Sequence, residues 1–149
     1  MRARDLMTAM PKVVTIHETT PHAARLMAQF DIGMLPVVDS LSRRHLLGVI
    51  TDRDLVVRCL AQGHLVGCRI EDHLTRDPLI TVTPEADLDA IVALMERHQV
   101  RRLPVVQGIA QEVVGVITLA DLVRLAGPSH PGLIEALEER IHARGALTH

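Results

Sequence analysis

The chain has 149 residues, a formal net charge of −2 and a hydrophobic fraction of 48%, but only one aromatic residue, Phe30. This length suits one domain with an aliphatic core, and the scarcity of aromatic side chains excludes a stacking platform for single-stranded nucleic acid. The 16 basic and 18 acidic residues are mixed along the chain, which argues against the basic face of a duplex-DNA binder.

The sequence also argues against a membrane or secreted protein. No apolar run approaches the roughly 20 residues of a membrane span, and the N-terminus lacks the apolar core of a signal peptide. The two cysteines, Cys59 and Cys68, fit a reducing compartment without a disulfide framework. We therefore expect a cytoplasmic protein that binds neither nucleic acid nor membrane.

The chain begins with three predicted elements. Residues 2–10 have apolar side chains at helical spacing, which predicts a short amphipathic helix. A β-branched run at residues 13–16 favours a strand. Pro21 lies in the first turn of the next predicted helix, whose apolar residues recur on one face up to Phe30.

The rest of the first half predicts a hairpin that leads into a helix. The two arms of the hairpin are residues 35–38 and 46–50. Because Pro36 supplies no N–H donor, we expect it at a sheet edge or a strand start. Residues 52–62 then predict an amphipathic helix that ends before Gly63.

The same order of elements then returns, which makes the sequence a tandem repeat. Residues 70–75 echo residues 3–8, and residues 103–106 match residues 35–38. Equivalent positions lie 67 or 68 residues apart, so the register holds through the second half. Each half therefore predicts the order strand, helix, strand, strand, helix.

We predict a mixed α/β (α+β) fold of two βαββα repeats. A unit of about 65 residues buries little apolar surface alone, so the copies are expected to pack about a pseudo-two-fold axis. The predicted limits are residues 1–66 and 67–126, with a helical tail at residues 127–149. One apolar face of the tail is expected to cap the module, with contact to a partner as the alternative; it is formed by Leu133, Ile134, Leu137 and Ile141.

A Thr-x-x-Asp motif follows the last strand of each repeat, at Thr51 and Asp54 and again at Thr118 and Asp121. One interpretation is a capping box, in which each side chain accepts a hydrogen bond from a backbone amide of the helix start. The other is a ligand site, in which the helix start and threonine bind a phosphate and the aspartate binds the two ribose hydroxyls. A single motif favours the cap, but two copies in the same context favour two equivalent ligand pockets in the cleft between repeats.

The doubled pattern apolar-Pro-Val-Val, then Gly-x-x-Thr-x-x-Asp, resembles a pair of cystathionine-β-synthase (CBS) domains, the Bateman module. The resemblance covers residues 3–126. It is most similar to stand-alone pairs of the mycobacterial hypoxic-response type, through residues 4–7, 31–36, 51–55 and 98–102. This resemblance implies a regulatory module, without catalysis, that binds AMP, ADP, ATP, S-adenosylmethionine or NAD, with AMP expected first. It also implies a homodimer formed through helices.

The resemblance assigns roles to individual residues. The two aspartates of the motifs would hold ribose hydroxyls, and the two threonines would lie near the phosphate. Arg53 would bind phosphate through its forked guanidinium, whereas the second copy has Ala120 there, which leaves open whether one or both pockets function. Adenine would lie against aliphatic residues that suit a plain core equally well: Val14, Pro36 and Ile50 in the first copy, and Ile80, Pro104 and Ile117 in the second.

Four residues of zinc-ligand type flank the linker between the repeats: Cys59, His64, Cys68 and His73. Their spacing is weak evidence for a metal site. Cys59 falls on the apolar face of its predicted helix, where a free cysteine packs as a small hydrophobic residue. We therefore favour packing and assign no metal site from the sequence.

Two other classes of function compete with a ligand sensor. The sequence contains no Gly-x-Ser-x-Gly, Walker or His-Glu-x-x-His motif, so we do not expect an enzyme. A dimeric adaptor, or a metal-binding stress protein that binds no nucleotide, is the alternative. A regulatory module of this kind is also compatible with an effector protein that it contacts in trans.

Overall fold

The computed structural model describes residues 1–64 and 67–146. Its two three-stranded sheets and their helices confirm the mixed α+β class. No helix in the described ranges combines the length and the hydropathy needed to cross a membrane. The elements are α1 (Ala3–Leu6), β1 (Thr8–Ala9), β2 (Val14–Thr15), α2 (Thr20–Phe30), β3 (Met34–Val38), β4 (Leu46–Thr51), α3 (Asp52–Asp54) followed by a π-helix (Leu55–Leu60), a 3₁₀ helix (Ile70–Asp72), α4 (Leu88–His98), β5 (Arg102–Gln107), β6 (Glu112–Thr118), α5 (Leu119–Leu125) and α6 (Pro131–Ala146).

The chain forms two compact units that interleave along the sequence. The central unit contains Lys12–Leu79 and Gly108–Val113, and the terminal unit contains Met1–Pro11, Ile80–Gln107 and Val114–His149. The repeat limits expected from the sequence stay predictions. Residues 65–66 at the first limit and residues 147–149 of the predicted tail lie outside the described residues.

Each unit is completed by the segment that opens the other repeat. In the terminal unit, β1 pairs antiparallel with β6, with Thr8 opposite Val116. In the central unit, Thr75 pairs with Val49 in an isolated antiparallel bridge, with N···O distances of 2.8 and 2.9 Å. The two pairs occupy equivalent positions of the repeat. The similar sequences of residues 3–8 and 70–75 therefore make the same kind of backbone pair with the last strand of a repeat.

The central unit has the sheet order β2-β3-β4. β3 and β4 form the predicted hairpin, and β2 runs parallel to β3. Pro36 lies inside the middle strand, which corrects the expectation of an edge or a strand start. The position is tolerated because β2 pairs only with Val37 and Val38, so the missing N–H costs no bond to β2. The core of this unit consists of Val14, Ala23, Met27, Leu35, Val37, Ile50, Ile70 and Leu74.

The terminal unit has the sheet order β1-β6-β5, and α6 packs against α4 and α5. Arg140 of α6 contacts both carboxylate oxygens of Glu96 at 2.8 Å. The tail helix therefore covers part of this unit, and the expectation that it caps the whole module stays a prediction. Its buried side chains are Ile134, Leu137 and Ile141.

The first strand of each repeat is shorter than the sequence predicts. The run at residues 13–16 contributes two residues to β2, and the predicted strand at residues 79–82 contributes a single bridge between Val82 and Val105. β-branched residues favour an extended chain, but a strand also requires a partner along its length. In the folded protein a neighbouring strand pairs with only one or two residues of each run.

The helix predicted over residues 52–62 begins with one α turn and continues as a π-helix. The Ala61 N–H donates to the Val56 carbonyl, five residues back, at 2.8 Å. A π-helix has more residues per turn than an α-helix, so the apolar side chains predicted to share one buried face point in different directions. Cys59 is 6% exposed, whereas Val56 and Leu60 are each 55% exposed.

Gly48 in β4 lies where the chain of residues 74 and 75 crosses the strand. A Cβ at this position would overlap the Leu74 side chain and lie 2.7 Å from the Thr75 carbonyl oxygen. Because the pair between Thr75 and Val49 holds that backbone in place, we expect Gly48→Ala to lower the free energy of unfolding by about 1–3 kcal/mol. Urea denaturation monitored by circular dichroism measures this loss.

Gly115 is the equivalent glycine in β6 and provides the matched control. The three atoms nearest to a Cβ there would all belong to the side chain of Met7, which is flexible and can move aside. We expect Gly115→Ala to destabilise the protein less than Gly48→Ala. The reverse order would contradict the role of the Thr75 backbone.

Candidate functional site

The first Thr-x-x-Asp motif forms a capping box at the start of α3. The Asp54 N–H donates to Thr51 Oγ1 at 3.1 Å, and the Thr51 N–H donates to Asp54 Oδ2 at 2.9 Å. Thr51 retains the extended torsions of β4, with φ −114° and ψ 162°, so its side chain faces the first helical amides. The capping interpretation is confirmed here.

Asp54 has two further partners beyond the capping box. The Thr75 hydroxyl lies 3.4 Å from both carboxylate oxygens, and Arg58 Nε lies 3.6 Å from Oδ1. These distances exceed the roughly 2.7–2.9 Å of a strong charge-assisted hydrogen bond. The carboxylate, whose side chain is 10% exposed, therefore keeps acceptor capacity at Oδ1. The i, i+4 spacing indicates Arg58, but no local pattern indicates Thr75.

The second motif repeats this geometry at the start of α5. The Thr118 N–H donates to Asp121 Oδ2 at 2.9 Å, and the Asp121 N–H donates to Thr118 Oγ1 at 3.1 Å. The threonine hydroxyl also donates to Asp121 Oδ2 at 2.8 Å. Arg124 approaches Oδ1 at 3.3 Å, and the Asp121 side chain is 14% exposed. Both carboxylates are thus recessed without being sealed.

The two motifs differ at the residue before the aspartate. Arg53 and Ala120 are both exposed. Arg53 therefore presents a guanidinium at the surface next to the first motif, where a phosphate could receive two parallel hydrogen bonds. The asymmetry noted in the sequence is retained in three dimensions, because Ala120 offers no charge at the equivalent place.

The six aliphatic residues predicted to contact adenine lie mostly in the interior. Five are buried and one, Ile80, is half-buried. Val14 and Ile50 belong to the core of the central unit, and Ile117 belongs to the core of the terminal unit. The buried set is Val14, Pro36, Ile50, Pro104 and Ile117. Core packing accounts for this placement, and contact with a base stays a prediction for all six.

Three residues of the cysteine and histidine set meet in the central unit. The sulfurs of Cys59 and Cys68 and a ring nitrogen of His73 all lie within 4.8 Å of one another. The ring of His64 lies beside that of His73, with centroids 5.6 Å apart. Both cysteines are free thiols. The fold thus gathers residues whose spacing in the sequence was weak evidence.

The Cys68 thiol is harder to ionise than an ordinary cysteine. A hydrogen bond with the Cys59 side chain, partial burial, and the negative charge of Cys59 and Asp72 raise its pKa. The Thr20 hydroxyl acts in the opposite direction. A cation near the two sulfurs would favour both thiolates.

A surface cavity of about 300 Å³ lies in the terminal unit and is lined by Glu96, Gln99, Arg140 and Ala143. Arg140 and Glu96 form an ion pair, and the Gln99 side-chain amide donates to the Glu96 carbonyl at 2.6 Å. None of these residues belongs to a Thr-x-x-Asp motif. This cavity is therefore distinct from the predicted ligand site.

The repeat can be compared with known protein families. The family model described as "CBS domain" matches residues 3–60 and again residues 70–127. The chain belongs to the CBS-domain family as a tandem pair. The match covers most of the chain and confirms the family resemblance inferred from the motifs.

Hypoxic response protein 1 of Mycobacterium tuberculosis is similar to this CBS pair. The two sequences are 39% identical over 122 residues, which is 82% of each chain. The crystal structure of Hypoxic Response Protein I with two coordinated zinc ions superposes with a TM-score of 0.74 at 35% identity, covering 84% of this chain and 98% of the other. The predicted similarity to the hypoxic-response type is confirmed.

Two further structures that are similar to this chain contain adenosine compounds. Protein MJ0100, in complex with 5′-methylthioadenosine and S-adenosyl-L-methionine, has a TM-score of 0.74 at 28% identity and covers 87% of this chain and 98% of its own. CBSX2 in complex with AMP has a TM-score of 0.72 at 26% identity and covers 84% and 95%. In those proteins the shared fold accommodates adenosine-containing ligands.

We expect the cap at the second motif to contribute to stability. Thr118→Ala removes the acceptor for the Asp121 amide, so we expect the free energy of unfolding to fall by about 0.5–2 kcal/mol. Thr118→Ser retains the oxygen and should lose much less. Urea denaturation compares the two variants, and equal losses would show that the methyl group of Thr118, and not its hydroxyl, stabilises the helix start.

Proposed function

We propose that this CBS pair is a regulatory, non-catalytic module that binds an adenosine-containing ligand at its Thr-x-x-Asp motifs. One observation carries the proposal: Thr51 with Asp54 and Thr118 with Asp121 form the same recessed arrangement of hydroxyl and carboxylate in both repeats. The ligands of MJ0100 and CBSX2 support the choice of adenosine. AMP is the first candidate, and ADP, ATP, NAD and S-adenosylmethionine belong to the same class.

The carboxylates can exchange their present neighbours for ribose hydroxyls at low cost. Asp54 Oδ1 has only long contacts with Thr75 and Arg58, at 3.4 and 3.6 Å, which makes these weak interactions. Asp121 Oδ1 faces Arg124, whose side chain is 67% exposed, and such surface ion pairs contribute little. A ribose diol would bond to Oδ1, while Oδ2 keeps the cap amide.

Side chains add to the helix starts in this proposal. α3 and the π-helix that continues it run from Asp52 to Leu60, and α5 has seven residues, so each site faces the start of a short helix. Arg53 then favours ligands with a 5′-phosphate at the first motif, such as AMP. The second motif, with Ala120, suits S-adenosylmethionine better, because that ligand carries no phosphate.

We propose that the protein forms a homodimer through its helices. Val56 and Leu60 on the π-helix are each 55% exposed, and Val123 on α5 is 40% exposed. Val56 and Val123 occupy equivalent positions of the two repeats, and exposed apolar side chains on a helix are suited to association. A non-catalytic sensor needs a target, so we also propose an effector protein that it contacts in trans. We propose a cytoplasmic location as well, because adenosine nucleotides are metabolites there.

A thermal-shift panel tests whether the protein senses an adenosine compound. A ligand at 100 times its dissociation constant adds about 2.7 kcal/mol of stability, which raises Tm by about 5–10 °C for a chain of this size. We expect this rise with at least one of AMP, ADP, ATP, NAD and S-adenosylmethionine. GMP is the control for the base. The absence of a shift with every adenosine compound would reject the sensor and favour a dimeric adaptor or a metal-binding protein.

Asp54→Ala separates the structural and ligand-binding roles of the first motif. We expect a loss of about 0.5–2 kcal/mol from the cap, together with loss of the AMP response at that site, measured by isothermal titration. Thr19→Ala is the control, because it removes the cap of α2, where Thr19 Oγ1 accepts from the His22 N–H, outside the motif. If Asp54→Ala binds AMP as well as Thr19→Ala does, Asp54 acts only as a cap.

A further inference from the structure

We propose that Cys59, Cys68 and His73 form a binding site for a zinc ion, with the His64 imidazole as the fourth ligand. Cysteine thiolates and neutral imidazoles are the ligands that zinc prefers, usually four of them in a tetrahedron. The site lies wholly within the central unit, and it uses none of the residues assigned to the adenosine ligand. It therefore goes beyond the proposed sensing function.

The present geometry is close to that of a loaded site. Zinc bond lengths of about 2.0–2.3 Å place neighbouring tetrahedral ligand atoms about 3.5–3.8 Å apart. The sulfurs of Cys59 and Cys68 and the His73 nitrogen all lie within 4.8 Å of one another. Shifts of about 1 Å or less would close the triangle around an ion. The exposed ring of His64, 5.6 Å from that of His73, can complete the tetrahedron by a side-chain rotation.

The backbone already holds the ligand-bearing segments in place. The Cys68 carbonyl accepts from the Thr20 N–H at 2.9 Å, and the Ile70 N–H donates to the Glu18 carbonyl at 3.0 Å. The His73 carbonyl faces an Arg58 guanidinium nitrogen at 3.4 Å. These bonds connect the linker, α2 and the π-helix, so little ordering is needed when a metal binds.

Cys59 is buried, and two polar groups contact its sulfur. Its sulfur donates to the His64 carbonyl at 3.0 Å and lies 3.7 Å from the Thr20 hydroxyl. A hydroxyl at this distance can donate to a metal-bound thiolate, which is the usual role of an outer partner at such sites.

The other repeat shows what purely structural residues look like at the same positions. Ala126 is the equivalent of Cys59, and Leu6 is the equivalent of His73. Both belong to the apolar core of the terminal unit and are at most 1% exposed. The fold therefore accepts alanine and leucine here, and the requirement for packing alone does not explain a cysteine and a histidine.

The ligand set also selects the class of ion. Two thiolates and two imidazoles favour zinc over calcium or magnesium, which take oxygen ligands. Binding releases the two thiol protons to solvent, and the two thiolate charges then balance the charge of the ion. Four protein ligands leave no open position, so the ion would stabilise the linker and would not catalyse a reaction.

Zinc analysis of the full chain tests the site. We expect protein purified with a reductant to bind one Zn²⁺ per chain in competition with a chromophoric chelator. Cobalt(II) should produce charge-transfer absorption from the thiolates and the visible bands of a tetrahedral site. Cys59→Ala and His73→Leu introduce the residues found at the equivalent positions of the other repeat. Loss of an outer partner lowers metal affinity by roughly 10–100-fold, and we expect each of these variants to lower zinc affinity by more than that. Circular dichroism checks that both variants fold.

His98→Ala is the matched control, because His98 is an exposed histidine of the terminal unit and should leave zinc affinity unchanged. A folded, reduced chain that binds no zinc would overturn the proposal. So would binding that survives in both Cys59→Ala and His73→Leu, or a Cys59–Cys68 disulfide in the freshly isolated protein. His64→Ala should weaken zinc binding at least tenfold, and an unchanged affinity would overturn the assignment of the fourth ligand.

Discussion

The backbone pair between Thr75 and Val49 is the contact on which the rest of the central unit depends. It holds the segment after the 3₁₀ helix against β4, where Gly48 leaves room for the crossing chain. The same contact places the Thr75 hydroxyl on Asp54, and the residue two positions earlier, His73, lies beside the two cysteines. One pair of backbone hydrogen bonds thus positions side chains of both the ligand motif and the cysteine cluster.

Arg58 connects these two groups of residues more directly. Its Nε approaches Asp54 at 3.6 Å, and its terminal nitrogen approaches the carbonyl oxygens of His73 and Leu74 at 3.4 and 3.5 Å. In the second repeat Arg124 makes the contact that corresponds to the first of these, with Asp121. The two halves share a fold but differ chemically: both cysteines lie in the central unit, where a π-helix follows the first α turn.

Local patterns were sufficient for the features that depend on neighbouring residues. The hairpin, the capping boxes and the apolar face of α6 follow from turn chemistry, side-chain spacing and strand-to-helix steps, all of which act within a few positions. The placement of Pro36 was wrong because the edge rule assumes a partner along the whole strand, and β2 is too short to be one. The π-helix was missed because an α and a π winding differ by one residue per turn, which an apolar pattern of this length does not resolve.

The sequence by itself determined the repeat, its α+β class, its family and the two helix starts with their carboxylates, because each depends on residues close together in the chain or on the recurrence of a pattern. Only the tertiary structure decided that the opening segment of each repeat completes the other unit, that Thr75 meets Asp54, and that Cys59, Cys68 and His73 share one space. These contacts join segments whose separation in sequence carries no information about distance. They are decided by which backbone edge is free to pair and by how the chain packs around it.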